Sequence, residues 1–431
     1  MIMNILVIYD YYAPQELRQT FSDFLHCFGK YSSHQVYYCN YAYGVPSYYS
    51  RVEFDLIIFL HFFSIHFRMN GLSYEDYVSR LGPIKESKAI KVLFSQDEFF
   101  AMDRINRFIH DFNIEGVFSV AEESEWSTIY YDVDQTKVHF HKNLTGYLDD
   151  DICHVMCDLK KEIPNRDIDI GYRATRVPAW LGRQGKLKVD IAPVVKEAAL
   201  AKGMHVDIAT VTKAEDFFLG YDWYKFMLRC KAFIGVEGGS SIFDRDGSLR
   251  HKVNQYVQQN PDQSFEEIEA ACFPGMDGNL ALAALSPRHL EACVAKCCQI
   301  LVEGSYGGIL KPGIHYLELK KDFSNLNEVL ELVQREDVRE ELADRAFHDV
   351  VESGLYTYKS FVEGAIQDCL SIRPSSISKK SPIFYRMNQF RDWLTWKSMP
   401  WEFYLFKRIK KCLPQNIITT LKTFRNRSSS V

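Results

Sequence analysis

No stretch of this chain is long and apolar enough to cross a bilayer: the most hydrophobic run, residues 56–67, is short and carries His61 and His66. The N-terminus, MIMNILVIYDYY, lacks the basic start and small-residue cleavage site of an export signal. Asp10 interrupts it early, so a first strand is expected there. Paired C-x2-C knuckles are absent among the 11 cysteines, which argues against a zinc site. Reduced thiols in a cytoplasmic protein are expected instead. The G-x-G-x-x-G dinucleotide fingerprint and any short fixed repeat are also missing.

The net charge of −5 hides an asymmetry. From Arg373 onward there are 13 Lys and Arg against Asp392 and Glu402, together with Trp393, Trp396 and Trp401, and the rest of the chain is acidic. Cations beside aromatic rings suit the anionic face of a membrane. Residues 373–431 are therefore expected to form a basic, aromatic helical tail that holds a cytoplasmic protein at the inner face of the cell membrane. Docking of the tail on a partner protein or on the first domain is the alternative. With an acidic body, nucleic acid is not expected as a partner.

What is present is globular. Apolar residues make up 47% and charged residues 25% of 431 positions, enough for two domains with their own cores. Short apolar runs at 5–9, 56–60, 91–94 and 116–120 read as buried strands, with helical patterns at 15–28, 73–81 and 103–112 between them. The pattern breaks at Pro164 and Asn165 and restarts at 167–172, then runs through strands near 205–209, 232–236, 299–302 and 315–319. Alternating strands and helices imply parallel, doubly wound sheets. The expected fold class is α/β, two facing Rossmann-like domains at 1–165 and 166–372, with ligands bound in the cleft between strand ends.

Four segments carry candidate chemistry. After the strand at 167–172, IGYRATRVPAWLGRQGK supplies cations able to neutralise a diphosphate, with Arg173 and Lys186 foremost. The run GVEGGSS places Glu237, Gly238, Gly239 and Ser240 at a strand's carboxyl end, where bare backbone and hydroxyls can meet a ligand. In SPRHLE, Arg288 and Glu291 open a helix, and a carboxylate there can accept two hydrogen bonds from a ribose diol. The following loop contributes Tyr306, Gly307 and Gly308, able to approach phosphate oxygens closely. In the first domain, Asp97 and Glu98 of SQDEF and His61 end strands facing the cleft and are the candidate catalytic groups.

These motifs resemble those of bacterial glycosyltransferases of the GT-B fold, especially of cell-surface polysaccharide clusters and the spore-maturation-protein-like group. The resemblance covers most of residues 1–370. An Arg and a Glu with two residues between them open the helix beneath the donor in that group, and Arg288 and Glu291 match; SGLYTYKSF looks like the closing helix that crosses back to the first domain. One departure is Ala283, which stands where the E-x7-E pair of retaining members would place its earlier glutamate. The resemblance implies transfer of a sugar from a nucleotide-sugar donor to a glycan or lipid-linked acceptor, without a metal or other cofactor. Nucleotide-sugar epimerisation and a non-catalytic binding partner on the same scaffold remain open.

Overall fold

The computed structural model describes residues 2–12, 19–69, 71–211, 218, 220–374 and 379–412, with residues 398–412 as backbone only. Two parallel sheets organise the chain. The first contains β1 (Asn4–Tyr9), β2 (Gln35–Asn40), β3 (Leu56–Phe59), β4 (Ile90–Phe94), β5 (Gly116–Ser119) and β6 (His139–Lys142), in the order β2-β1-β3-β4-β5-β6. The second contains β7 (Ile168–Thr175), β8 (Val206–Val211), β9 (Cys230–Gly235), β12 (Cys298–Val302) and β13 (Tyr316–Leu319), in the order β13-β12-β9-β7-β8; the short β10 (Gly238–Ser240) and β11 (Leu282–Ala284) form an antiparallel pair beside it. This is the α/β architecture of two facing Rossmann-like lobes.

Runs such as LIIF in β3 and CQILV in β12 are apolar without alternation because helices cover both faces of each sheet, and every residue in both runs is buried. Both sheets reverse strand order beside their first strand, between β1 and β3 and between β7 and β9. Crevices of open α/β sheets lie at such reversals.

The chain crosses between lobes twice, side by side. Leu148, Ile152, Met156 and Leu159 join the second lobe's core before β7 begins. The helix Tyr358–Ile372 returns, burying Tyr358, Phe361, Val362 and Ile366 against Phe24, Phe28 and Phe94 of the first lobe. The two crossings are tied by Leu148 N–H to Tyr356 O and Tyr358 N–H to Leu148 O, both 2.8 Å. A third link comes from residues between β10 and β11: Asp244 N–H donates to Phe99 O at 2.8 Å, and Ala101 N–H donates to Asp244 O at 2.7 Å.

The tail's helix, Pro382–Cys412, lies along β2, the first sheet's edge. Asn388 is fully buried, accepts from Tyr38 N–H and donates to Tyr38 O, both at 2.9 Å. One amide thus replaces a missing neighbouring strand, which leaves fewer backbone groups open to pairing. Asp392 accepts from Tyr9 O–H at 3.0 Å, and Trp396 stacks on Tyr9 and Tyr11. This is first-lobe docking by one face of the helix. Among the described residues, no helix is long and apolar enough to cross a membrane. Residues 413–431 and the side chains of Trp401 and Glu402 lie outside the described residues.

Candidate active site in the interlobe cleft

A cavity of about 310 Å³ opens between the lobes at the β7/β9 reversal. The second lobe lines it with Arg173, Lys188, Gly238, Gly239, Arg288 and Glu291, and the first lobe with Gln96, Asp97, Val120 and Thr145.

Glu291 and Arg288 owe their positions to a defined helix start. Ser286 N–H donates to His289 Nδ1 at 3.1 Å in a capping box, and Pro287 occupies the first turn of the helix Pro287–Val294, where a missing N–H costs nothing. The next residues then face the cleft with the helix's positive end. Glu291 is 5% exposed and lines the cavity, Trp223 Nε1–H donates to its Oε2 at 2.8 Å, and the Tyr224 hydroxyl lies beside the same carboxylate. Burial pushes the Glu291 carboxyl up to about 7, against the pull of the Trp223 hydrogen bond and Arg288. Arg288 donates to Arg173 O at 2.6 Å.

Arg173 sits at the end of β7, donates to Asp207 Oδ1 at 2.6 Å and packs over Phe226, its guanidinium carbon 4.7 Å from the ring centre. It is a fixed charge on the cavity wall. Lys188 is different. Burial and the like charge of Arg288 push its ammonium down to about 8, with Asp97 opposing. Among the described residues no carboxylate lies in ion-pair range of it, so it is a half-buried cation without an anionic partner on the cavity wall.

Lys186, foremost in the sequence reading, points elsewhere. The segment after Leu181 is the helix Gly182–Ala201, not a loop, and residues two apart on a helix face nearly opposite sides. Lys186 pairs with Asp190 at 2.5 Å, outside the cavity, while Lys188 turns in. This helix's start is also occupied, since Asp277 Oδ1 accepts from Arg183 N–H at 3.0 Å and Ser241 Oγ from Gln184 N–H at 3.2 Å.

The GVEGGSS segment divides. Gly238 and Gly239 line the cavity, and Gly239 has φ +134 with a β-carbon position only 2.0 Å from Leu282 O, so only glycine fits. Glu237 turns away and accepts from Ser305 N–H, Ser305 O–H and Tyr306 N–H at 3.1, 3.1 and 2.7 Å. Its charge is spent on fixing the loop at 303–308 rather than on a ligand. Ser240 is fully buried and bonds Leu181 O and Ile242 N–H. Tyr306 is buried and donates to Val302 O at 2.6 Å. Gly307 lines a small neighbouring recess, and Gly308 follows it outside the main cavity.

Of the three first-lobe candidates, Asp97 lines the cavity, while Glu98 and His61 do not. The Asp97 backbone is left-handed, φ 54, and the buried guanidinium of Arg68 holds the loop by donating to Gln96 O, Asp97 O and Phe100 O. Left-handed non-glycine residues concentrate at functional sites. Enclosure raises the Asp97 carboxyl, with Arg68 and Lys188 lowering it in part. Glu98 is instead a core anchor, accepting from Val120 N–H, Ala121 N–H and Tyr130 O–H. His61 is packed edge-on against Phe24, and burial pushes its imidazole down to about 3, so it stays neutral and out of the cleft.

Besides Lys188, the lining residues Trp223, which holds Glu291, Gln96 beside Asp97, and Thr145, whose hydroxyl donates to Leu285 O, went unrecognised in the sequence. Only the SQD turn signal could have suggested Gln96. Among the described residues no cluster of His, Cys, Asp and Glu could hold a metal ion.

No protein-family model matches the chain, and no curated protein sequence matches it. Solved structures of similar outline exist. One is HepE of Anabaena with UDP and glucose, 10% identical, TM-score 0.47, covering 86% of this chain and 99% of that one. Another is an α-glucosyltransferase with UDP and a 13-mer DNA, 10% identical, TM-score 0.49, covering 86% of this chain and all of that one. A third is a sucrose-phosphate synthase of Thermosynechococcus elongatus, 10% identical, TM-score 0.47, covering 85% of this chain and 98% of that one. With scores this low, the activity has to be read from the cleft's own residues.

Proposed function

We propose that the cleft binds a nucleotide-diphosphate sugar and transfers its glycosyl group to a glycan or lipid-linked acceptor, in the assembly of a cell-surface polysaccharide. The observation that carries this reading is the meeting in one cavity of a diol-gripping acid, Glu291, three cations, Lys188, Arg173 and Arg288, and a carboxylate from the opposite lobe, Asp97.

The Glu291 carboxylate would accept from the ribose hydroxyls, its Oε2 being held by Trp223. The diphosphate would lie on Lys188 and Arg288 and against the bare backbone of Gly238 and Gly239, with Arg173 adding fixed charge. As the bond from the anomeric carbon to the phosphate oxygen breaks, its electron pair and negative charge stay on the diphosphate, where these cations stabilise it. The acceptor hydroxyl forms the new bond to that carbon, and Asp97, facing it across the cleft, would take the proton. Side chains supply the neutralisation in this scheme, so no metal is assigned. A lipid-linked acceptor would bring the chain to the inner membrane face, with its basic tail beside the lipids.

The test is nucleotide release with a panel of UDP-, GDP- and ADP-sugars, with and without chelator. Turnover of one donor is expected, unaffected by chelator and lost in Glu291→Ala with its melting curve intact. Normal turnover by that variant would refute the assignment.

A further inference from the structure

The helix Pro382–Cys412 has two faces, and only one is in use. Toward the first lobe it sends Phe384, Tyr385, Asn388, Asp392 and Trp396. Away from the protein it presents Ile383, 74% exposed, Phe390, 63%, Trp393, 51%, Leu394, 49%, and Met387, 46%. Steps of three and four residues place these on one continuous stripe.

The stripe's surroundings are cationic. Lys379, Lys380, Arg386 and Lys397 are exposed around it, and the Lys397 ammonium sits 4.5 Å from the Trp393 ring, which itself stacks on Phe390 at 5.8 Å. Asp392, the single acid between Arg373 and Lys397, is turned inward onto Tyr9. Lys407, Arg408, Lys410 and Lys411 follow in the sequence. A second copy pairing through this stripe would bring like charges together. An anionic lipid surface offers the opposite charge to the rim and an apolar layer to the rings.

We infer that this stripe is the docking surface for an anionic membrane, and that it lies flat in the headgroup region rather than spanning. The inference rests on the membrane-side reading above and gives it an address. Because Asn388 pins the helix to β2, docking would also fix which side of the first lobe faces the lipid.

The test is flotation of the full chain with vesicles of phosphatidylcholine alone or mixed equally with phosphatidylglycerol. Binding is expected only to the mixed vesicles, weakening with salt, and about tenfold or more weaker for the double variant Phe390→Glu, Trp393→Glu, whose melting temperature should be unchanged. Equal binding by that variant, or no binding by the wild-type chain, overturns the inference. So does a wild-type dimer that the double variant converts to monomer. Nucleotide release in vesicle-free buffer tests the transfer reading separately: its absence alongside stripe-dependent flotation defeats that reading and upholds this one.

Discussion

Replacing Lys188 by methionine should make the protein more stable and less able to bind nucleotide. The ammonium's displacement from 10.5 to about 8 measures how poorly the folded chain accommodates its charge. At about 1.4 kcal/mol per pH unit, that displacement corresponds to roughly 3 kcal/mol of destabilisation, an upper figure because the residue keeps some exposure to the cavity. The sign follows from a folded value lying below the unfolded one. The penalty is complete below pH 8 and fades as pH rises toward 10.5. Methionine keeps the stem's packing and removes the charge, so the second lobe of Lys188→Met should melt several degrees higher at pH 7, with the gain vanishing near pH 10. Nucleotide diphosphate affinity should fall about 30-fold or more, as expected when a buried partner of a phosphate is truncated. Calorimetric titration adds a second reading: at pH 8, where Lys188 is about half protonated, the wild-type chain should take up about half a proton on binding, and the variant should not. A variant that is destabilised, or that binds nucleotide as tightly as wild type, would refute the view of Lys188 as an unpartnered cation that meets the nucleotide.

Nucleotide affinity should peak between pH 7 and 8, since Glu291, raised to about 7, loses acceptor capacity when protonated below that value and Lys188 loses its charge above about 8; fluorescence titration across pH 5.5–9.5 checks this, and a flat profile would remove both residues from the site. Asp97→Asn keeps a side chain that tolerates φ 54, so it should fold normally and bind nucleotide at least as well, while kcat falls about a hundredfold or more. Unaltered kcat would exclude Asp97 from proton transfer. Asn388→Ala removes the bond accepted from Tyr38 N–H and those donated to Tyr38 O and the Tyr49 hydroxyl oxygen, and should destabilise the first lobe by about 2–4 kcal/mol, seen as a lower melting temperature and early proteolysis near residue 380.

Strands were legible where Ile, Leu, Val and Phe dominate a short run. The runs of β1, β3, β4 and β12 are of this kind, with Lys91 and Gln299 as polar interruptions, and they were read to within a residue or two. Strand β2, QVYYCN, carries no such run, and β6, HFHK, is half exposed, so neither stood out. The pairing of Gly238–Ser240 with Leu282–Ala284 spans an inserted pair of helices, a separation that local patterns do not bridge. At the site, Arg288 and Glu291 were legible because a serine and a proline announce their helix. Lys186 was singled out in place of Lys188 because Gly182 and Gly185 disguise a helix as a loop, and helical register decides which of the two turns inward. Glu237 looked available because its partners, Ser305 and Tyr306, lie far along the chain.

The backbone link between Phe99, Ala101 and Asp244 has a mechanical consequence. Arg245 and Asp103 reinforce it at 2.9 Å, and Trp180 packs onto Phe99 and Phe100 just behind it. Together with the two chain crossings at Leu148 and Tyr358, this stitch ties the halves at three places, which limits how far they can part. Lys188 and Asp97 sit on opposite halves. Under the proposed mechanism, the separation these ties hold would also set the gap between the cation beside the leaving group and the base for the acceptor proton.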